Sequence, residues 1–321
     1  MRYDTRTLST EQFKRLRFPV GVEDARLALQ VAVESGFRVS QPLIGTEAPG
    51  ERLRDAHHLI QMVLLRSASI MQLSEGTPHP NGASIHGPWL SAPDPVSIWV
   101  LVRAQYEAFT ALSNIFTRHQ GEEQEFLYSI WALAGLMNRA PLQEFLDDPP
   151  YANYVQREDK EAYEALIAEI EVEKAKFKAL PLYKSQTPKK QEELLKRISK
   201  GQFQFVFEDG VPNWKGWHLT FIRVAQSDLF DTVYSTMSLW AHPSNAGARR
   251  FGEMYAPSQE YCRQLEHALC FAALLLSMII HEQISLFPEC RAVYESFPTE
   301  MRDLLAHWNH LSRRQSVDGA A

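Results

Sequence analysis

The chain has 321 residues, of which 45% are hydrophobic, and 33 Lys and Arg against 39 Asp and Glu give a formal net charge of −6. This apolar share is typical of a globular protein and excludes an intrinsically disordered chain. The negative balance excludes a global field that would recruit nucleic acid or an anionic membrane. Cys262, Cys270 and Cys290 show no CxxC spacing, so the sequence predicts reduced thiols in a cytoplasmic protein.

Helical periodicity dominates the sequence. In chain order, the apolar spacing predicts helices over 22–34, 50–73, 94–118, 122–138, 151–178, 188–199, 217–241, 257–285 and 288–311. Asp94-Pro95 and Thr187-Pro188 each combine an N-cap side chain with a proline at the first helical position. Alternation with period two is convincing only in 201–210 (GQFQFVFEDG), where it indicates a short strand.

The longest apolar run covers residues 268–280 (ALCFAALLLSMII). A helix that crosses a bilayer needs roughly 20 such residues, so this run predicts a buried core helix and no membrane span. The N-terminal residues MRYDTRTLSTEQFKRLRF contain no apolar core of a signal peptide.

Two segments between the predicted helices have a distinctive composition. Residues 75–95 are rich in Gly and Pro; a solvated connector is the favoured interpretation, and a lid over a binding site is the alternative. Residues 149–216 resemble an insertion in which the acidic segment 158–173 precedes the basic segment 174–200. A solvated, self-neutralising helical hairpin is favoured there over an RNA-binding surface, because few aromatic residues lie among the lysines.

Two polar stripes on otherwise apolar helices form the candidate site. The first stripe, at i, i+4, i+7 and i+11, contains Arg103, Glu107, Thr110 and Asn114. The second, at i, i+3, i+7 and i+11, contains Asp231, Tyr234, Ser238 and His242. Each set lies on one helical face. A charge buried alone in an apolar environment is costly, so the sequence predicts that the stripes meet each other or a ligand.

The chemistry of these stripes leaves alternatives open. Arg103 and Glu107 could form a structural ion pair, or the guanidinium could await a phosphate or carboxylate. His242 precedes Pro243 at the expected end of its helix, where an imidazole could act as general acid or base. Ser238, His242 and Glu107 could even form a catalytic set, with Ser238 as nucleophile, His242 as base and Glu107 as the group that orients the base. The chain has no GxSxG elbow, however, which argues against a serine hydrolase.

Neither HExxH, nor paired CxxC motifs, nor the Glu-x-x-His of di-iron bundles occurs in the sequence. No metal and no cofactor is therefore expected.

At Arg103-x-x-x-Glu107 and Tyr234-x-x-x-Ser238-x-x-x-His242-Pro243-Ser244 the chain resembles a family of uncharacterised bacterial helical proteins. That family is similar to the HEPN superfamily, whose members include nucleases of toxin and abortive-infection systems. The resemblance covers about 50–145 and 215–285. It implies that the shared site consists of Arg103, Glu107, Tyr234, Ser238 and His242. HEPN ribonucleases carry an Arg-x(4–6)-His string; Arg302 and His307 match it, but they lie outside the two stripe helices.

The sequence thus predicts an all-α, HEPN-like up-and-down bundle formed by a single domain of residues 1–321. Its core would comprise about 50–145 and 215–285, with an inserted charged hairpin at about 149–216 and a C-terminal helix at 288–311. The favoured function is a bacterial binding or regulatory protein of a defence or stress response. Its ligand would be a small anion or a protein partner, bound by Arg103, Glu107, Asp231, Tyr234, Ser238 and His242.

The alternative function is a metal-independent HEPN-like ribonuclease or another phosphodiesterase. In this enzyme His242 would be the acid–base group and Arg103 would hold phosphate, with Glu107 and Ser238 as further catalytic candidates. RNA as a partner is the weaker hypothesis, and a homo-oligomer stays open.

Overall fold

The computed structural model describes residues 4–46, 50–80, 89–143, 157–226, 233–241, 259–311 and 313. In this part of the chain α-helices predominate, and the strands form two antiparallel hairpins of two strands each. The predicted all-α fold class is therefore confirmed. The chain divides into a first compact unit, Met1–Ser113 with Phe221–Ala321, and a second compact unit, Asn114–Thr220.

The elements follow one another in this order: α1 (Thr10–Leu16), α2 (Val22–Ser40), α3 (Glu51–Glu75), β1 (Thr77–Pro80), β2 (Trp89–Ala92), α4 (Pro95–Leu112), α5 (Gly121–Gln143), α6 (Arg157–Ala179), α7 (Pro181–Lys184), α8 (Pro188–Ile198), β3 (Phe205–Glu208), β4 (Val211–Trp214), α9 (Gly216–Ala225), α10 (Val233–Ala241), α11 (Gln259–Leu286), α12 (Pro288–Glu295) and α13 (Thr299–Leu311). Short 3-10 turns span Thr5–Thr7 and Gln41–Leu43, and a π-helical turn, Ser113–Thr117, follows α4.

The core of the first unit forms around α11, which packs against α2, α3, α4, α12 and α13. Its length and composition would allow it to cross a membrane, but 67% of its most apolar window is buried inside the protein. Such burial fits the core helix of a soluble protein. Close packing nearby depends on Gly36 of α2, since a Cβ atom there would lie 2.5 Å from Leu64 Cδ2 on α3.

In the second unit α5 packs against α6, α7 and α8, with Phe126 and Phe177 buried at a ring separation of 5.2 Å. Helix α5 therefore belongs to the same compact unit as the segment predicted to be an insertion. Lysines of α6 pair with glutamates one turn earlier in the same helix: Lys174 Nζ lies 3.2 Å from Glu171 Oε1 and Lys176 Nζ 2.5 Å from Glu173 Oε1. Part of the charge is thus neutralised within one helix.

Three local differences from the predicted elements have simple causes. The predicted helix 288–311 is split into α12 and α13, because a residue before a proline, here Pro298, is disfavoured in the α conformation. The predicted connector 75–95 contains the hairpin β1–β2, in which Thr77 pairs with Ala92; residues 81–88 lie outside the described part. The strand predicted in 201–210 pairs with β4 in a hairpin. The pairing is possible because Asp209 and Gly210, between the two strands, both have positive φ, as a tight hairpin turn requires.

Candidate functional site

Helix α4 positions the first polar stripe. It begins at the predicted N-cap, where the Asp94 carboxylate accepts a hydrogen bond of 3.0 Å from the Ser97 amide. Its buried face packs against α3 and α11. Residues four apart lie one above the other on a helix, so Arg103 and Glu107 share the face that borders α10.

The Arg103 guanidinium is held by neighbours on two helices. Its Nε donates to Glu107 Oε1 at 3.0 Å, and its Nη2 donates to the Tyr234 hydroxyl oxygen at 3.3 Å. The guanidinium carbon also lies 5.3 Å from the centre of the Tyr234 ring, within cation–π distance. The two stripes therefore meet, as the sequence predicts, and Tyr234 is the residue of the second stripe that contacts Arg103.

The ion pair is not fully buried. The side chains of Arg103 and Glu107 are 18% and 27% exposed, so both charges keep contact with solvent. The expectation of a buried network is wrong in this respect. Partial exposure lowers the desolvation cost of the pair and leaves the guanidinium accessible to a ligand.

The other stripe residues have different roles. Thr110 Oγ1 donates to the Tyr106 carbonyl oxygen, and Asn114 Nδ2 donates to the Phe205 carbonyl oxygen, both at 2.8 Å, so each satisfies a backbone group. Ser238 is half-buried on α10, one turn after Tyr234. Asp231 and His242, the predicted carboxylate and acid–base histidine of the second stripe, lie outside the described residues.

An aromatic cluster behind the ion pair was missed in the sequence. The Tyr106 ring is fully buried, stacks on Phe221 at 3.9 Å and lies 5.3 Å from the Tyr234 ring. Tyr106 follows Arg103 by three residues, so helical spacing alone placed it on the same face. These rings fix the position of the Tyr234 side chain that contacts Arg103.

The Arg-x(4)-His string on α13 does not form one site. Arg302 Nη2 contacts Thr299 Oγ1 at 3.4 Å, whereas the His307 ring packs against Phe18 with ring centres 4.9 Å apart. Residues five apart point about 140° away from each other around a helix, which accounts for the separation. Burial lowers the pKa of His307.

Within the described part of the chain, no group of three His, Cys, Asp or Glu side chains is arranged to hold a metal ion. The described part of the site joins the Arg103 guanidinium, the Glu107 carboxylate and the Tyr234 phenol. Such a set can bind a polar or anionic group through hydrogen bonds.

No protein-family model, curated protein or solved structure matches the chain. The fold described above and the geometry of the Arg103 site are therefore the basis on which function is assigned.

Proposed function

We propose that the protein is a binding or regulatory protein whose polar site takes an anionic ligand or an acidic group of a protein partner. The site comprises Arg103, Glu107 and Tyr234, and the sequence adds Asp231, Ser238 and His242 as candidate ligand-binding residues. The observation that carries the proposal is the fixed, 18% exposed guanidinium of Arg103, held by Glu107 and Tyr234. A guanidinium that is already oriented loses little side-chain freedom when it binds a phosphate or carboxylate.

Glu107 determines which ligands suit this site. Its carboxylate repels a simple anion that approaches Arg103, so such an anion must compete with it for the guanidinium. A ligand with a hydrogen-bond donor beside its anionic group can instead contact Glu107 and Arg103 together. A phosphate next to a sugar hydroxyl or a base amino group has this combination.

The alternative function is a metal-independent ribonuclease or another phosphodiesterase with His242 as acid–base group. The resemblance to HEPN-like proteins in the motifs around Arg103 and Tyr234 supports a role in bacterial defence or stress response. The reduced cysteines support a cytoplasmic location.

Isothermal titration of the purified protein with ATP, AMP, citrate and inorganic phosphate, at low and at physiological salt, tests the proposal. We expect a nucleotide to bind more tightly than inorganic phosphate, and we expect its affinity to fall as the salt concentration rises. Arg103→Gln should weaken this binding about tenfold or more, because a charge-assisted hydrogen-bond pair is lost. Tyr234→Phe should weaken it less.

The matched control is Arg54→Gln. Arg54 is 55% exposed and pairs with Glu51 of its own helix α3 at 3.6 Å, so this variant removes a comparable intrahelical pair elsewhere. Equal affinities of the wild type and Arg103→Gln, or no binding of any of the four probes, would overturn the proposal. Turnover of RNA that disappears in His242→Ala would replace it with the enzyme alternative.

A further inference from the structure

A second candidate site lies in the first unit, on elements other than those of the Arg103 site. A cavity of about 610 Å³ is bounded by the N-terminal segment, α1, α2 and the start of α13. Its volume falls within the range of small-molecule binding sites, roughly 300–1,000 Å³. The cavity is lined by charged and apolar side chains, including Leu8, Phe13, Glu34, Arg38, Glu300 and Met301.

Arg38 brings a positive charge to this cavity. The Phe297 ring covers one face of its guanidinium, with the carbon 4.4 Å from the ring centre. Stacking uses the face of the guanidinium and leaves its N–H edges available in the plane. In the described part of the chain Arg38 makes no ion pair, although Glu34 precedes it by one helical turn. The Glu34 carboxylate instead accepts hydrogen bonds from Thr5 Oγ1 and, at 2.7 Å, from Gln30 Nε2.

Two carboxylates bring negative charge to the same cavity. Glu300 accepts a hydrogen bond from Thr10 Oγ1 at 3.0 Å. Its own backbone amide and the Thr10 hydroxyl lower the pKa of Glu300, so this group stays ionised near neutral pH. With Glu34, the lining carries two negative charges and one positive charge. Each carboxylate has lone pairs beyond the bonds described, so each can accept from an ammonium group.

An apolar surface completes the lining. Phe13 and Met301 are buried in the core of the first unit and border the cavity, as does Leu8. A ligand that suits the whole lining has one carboxylate, one ammonium group and an apolar substituent. A simple anion would be repelled by the two glutamates, and a simple cation would leave Arg38 without an anionic partner.

We propose that this cavity binds a free α-amino acid with an apolar side chain. The carboxylate of the amino acid pairs with Arg38 and its ammonium group with Glu34 or Glu300, while the side chain packs on Phe13 and Met301. This site is independent of the function proposed for Arg103.

Isothermal titration with L-phenylalanine and two truncated analogues tests the inference. Phenethylamine lacks the carboxylate, and 3-phenylpropionate lacks the ammonium group. We expect L-phenylalanine to bind about tenfold or more tightly than either analogue, because each analogue loses one charge-assisted pair. L-leucine should bind as well, because the apolar lining fits an aliphatic side chain.

Three variants assign the charges. Arg38→Gln should lower the affinity for L-phenylalanine about tenfold, because the carboxylate of the amino acid loses its partner. The affinity for phenethylamine, which has no carboxylate, should not change. Glu34→Gln or Glu300→Gln, whichever removes the partner of the ammonium group, should weaken the binding of L-phenylalanine and phenethylamine but not that of 3-phenylpropionate. The controls are Arg52→Gln, an exposed arginine of α3, and Glu122→Gln, which like Glu300 lies in the first turn of its helix.

Three results would overturn the inference: no heat of binding from L-phenylalanine up to its solubility limit, equal affinity for the amino acid and both analogues, or unchanged affinity in Arg38→Gln. Circular dichroism spectra of the variants establish that they are folded.

Discussion

Arg103 of α4 and Tyr234 of α10 are 131 positions apart in the chain, yet the guanidinium Nη2 lies 3.3 Å from the phenol oxygen. The same guanidinium also faces the ring at 5.3 Å. One tyrosine thus contacts the arginine through its hydroxyl and through its π-system. Both contacts use the charged guanidinium, whereas the aliphatic stem of Arg103 contributes volume at the junction between α4 and α10.

Replacing Arg103 should show this separation. We expect Arg103→Ala to lower the free energy of unfolding by about 1–2 kcal/mol and Arg103→Met by less, because methionine retains much of the side-chain volume that alanine removes. Partial exposure limits the ion pair itself to below about 1 kcal/mol. Urea titrations measure both values. Arg54→Ala, at an exposed pair, should change stability by less than about 0.5 kcal/mol. Identical losses for Met and Ala at position 103 would contradict the packing contribution.

Two glycines in helices should respond in opposite directions to alanine. At Gly36, a Cβ atom would lie 2.5 Å from Leu64 Cδ2 and 3.7 Å from Ile280, so the buried Leu64 side chain or one of the packed helices must shift. We expect Gly36→Ala to destabilise the protein by about 1–3 kcal/mol. At Gly135, exposed on α5, no atom lies within 4 Å of such a Cβ, and alanine should stabilise by about 0.5–1 kcal/mol. Thermal melts of the two variants compare them directly, and a stabilised Gly36→Ala would refute the close packing.

The three cysteines should differ in reactivity. Cys262 is exposed, whereas burial raises the pKa of Cys270 to about 12 and of Cys290 to about 11. The thiolate is the reactive form, so we expect a thiol reagent at mildly alkaline pH to label one cysteine quickly in the folded protein. All three should react after denaturation. Cys262→Ser should abolish the fast phase; a fast phase that survives in this variant would show that a buried thiol is accessible.

Mild acid should destabilise the first unit through His281. Burial lowers the pKa of His281, and its Nδ1 lies 2.8 Å from the Ser277 carbonyl oxygen. Because the folded pKa lies below the unfolded value of 6.5, the unfolded chain takes up the proton first, and stability is lost as the pH falls below 6.5. One such group contributes up to about 1.4 kcal/mol per pH unit.

Urea titrations of the wild type and of His281→Gln at about pH 7.5 and about pH 5.5 measure this effect. The variant should lose less stability than the wild type between the two conditions. The control is His310→Gln, at an exposed position near the end of α13. This variant keeps His281, so it should lose as much stability as the wild type between the two conditions. A parallel loss in His281→Gln would mean that other groups cause the acid sensitivity.

Local signals explain which parts of the fold could be predicted. The helix starts at Asp94 and Thr187 are correct because a cap and a following proline are specified by adjacent residues. The Asp209-Gly210 turn and the break before Pro298 carried equally local signals that were overlooked. The common face of Arg103 and Glu107 followed from spacing. Tyr234 as the partner of Arg103 did not, because the spacing of each helix leaves their relative rotation open.

The Arg38 cavity could not be predicted from any local pattern. Its charged lining comes from α2 and from the start of α13, and its apolar lining comes partly from α1. Arg38 and Glu34 alone are typical of an ordinary intrahelical ion pair. Only the competing hydrogen bonds from Thr5 and Gln30 show why that pair does not form.

The packing of α2 against α11 has a consequence for synthesis on the ribosome. Helix α2 ends at Ser40, and α11, its main partner, begins at Gln259. At about 5–20 residues per second, translation takes on the order of ten to forty seconds to bridge this interval. The second unit, Asn114–Thr220, is contiguous and can emerge complete before α11 exists. Nascent chains should therefore contain a folded middle segment while the apolar face of α2 still awaits its partner.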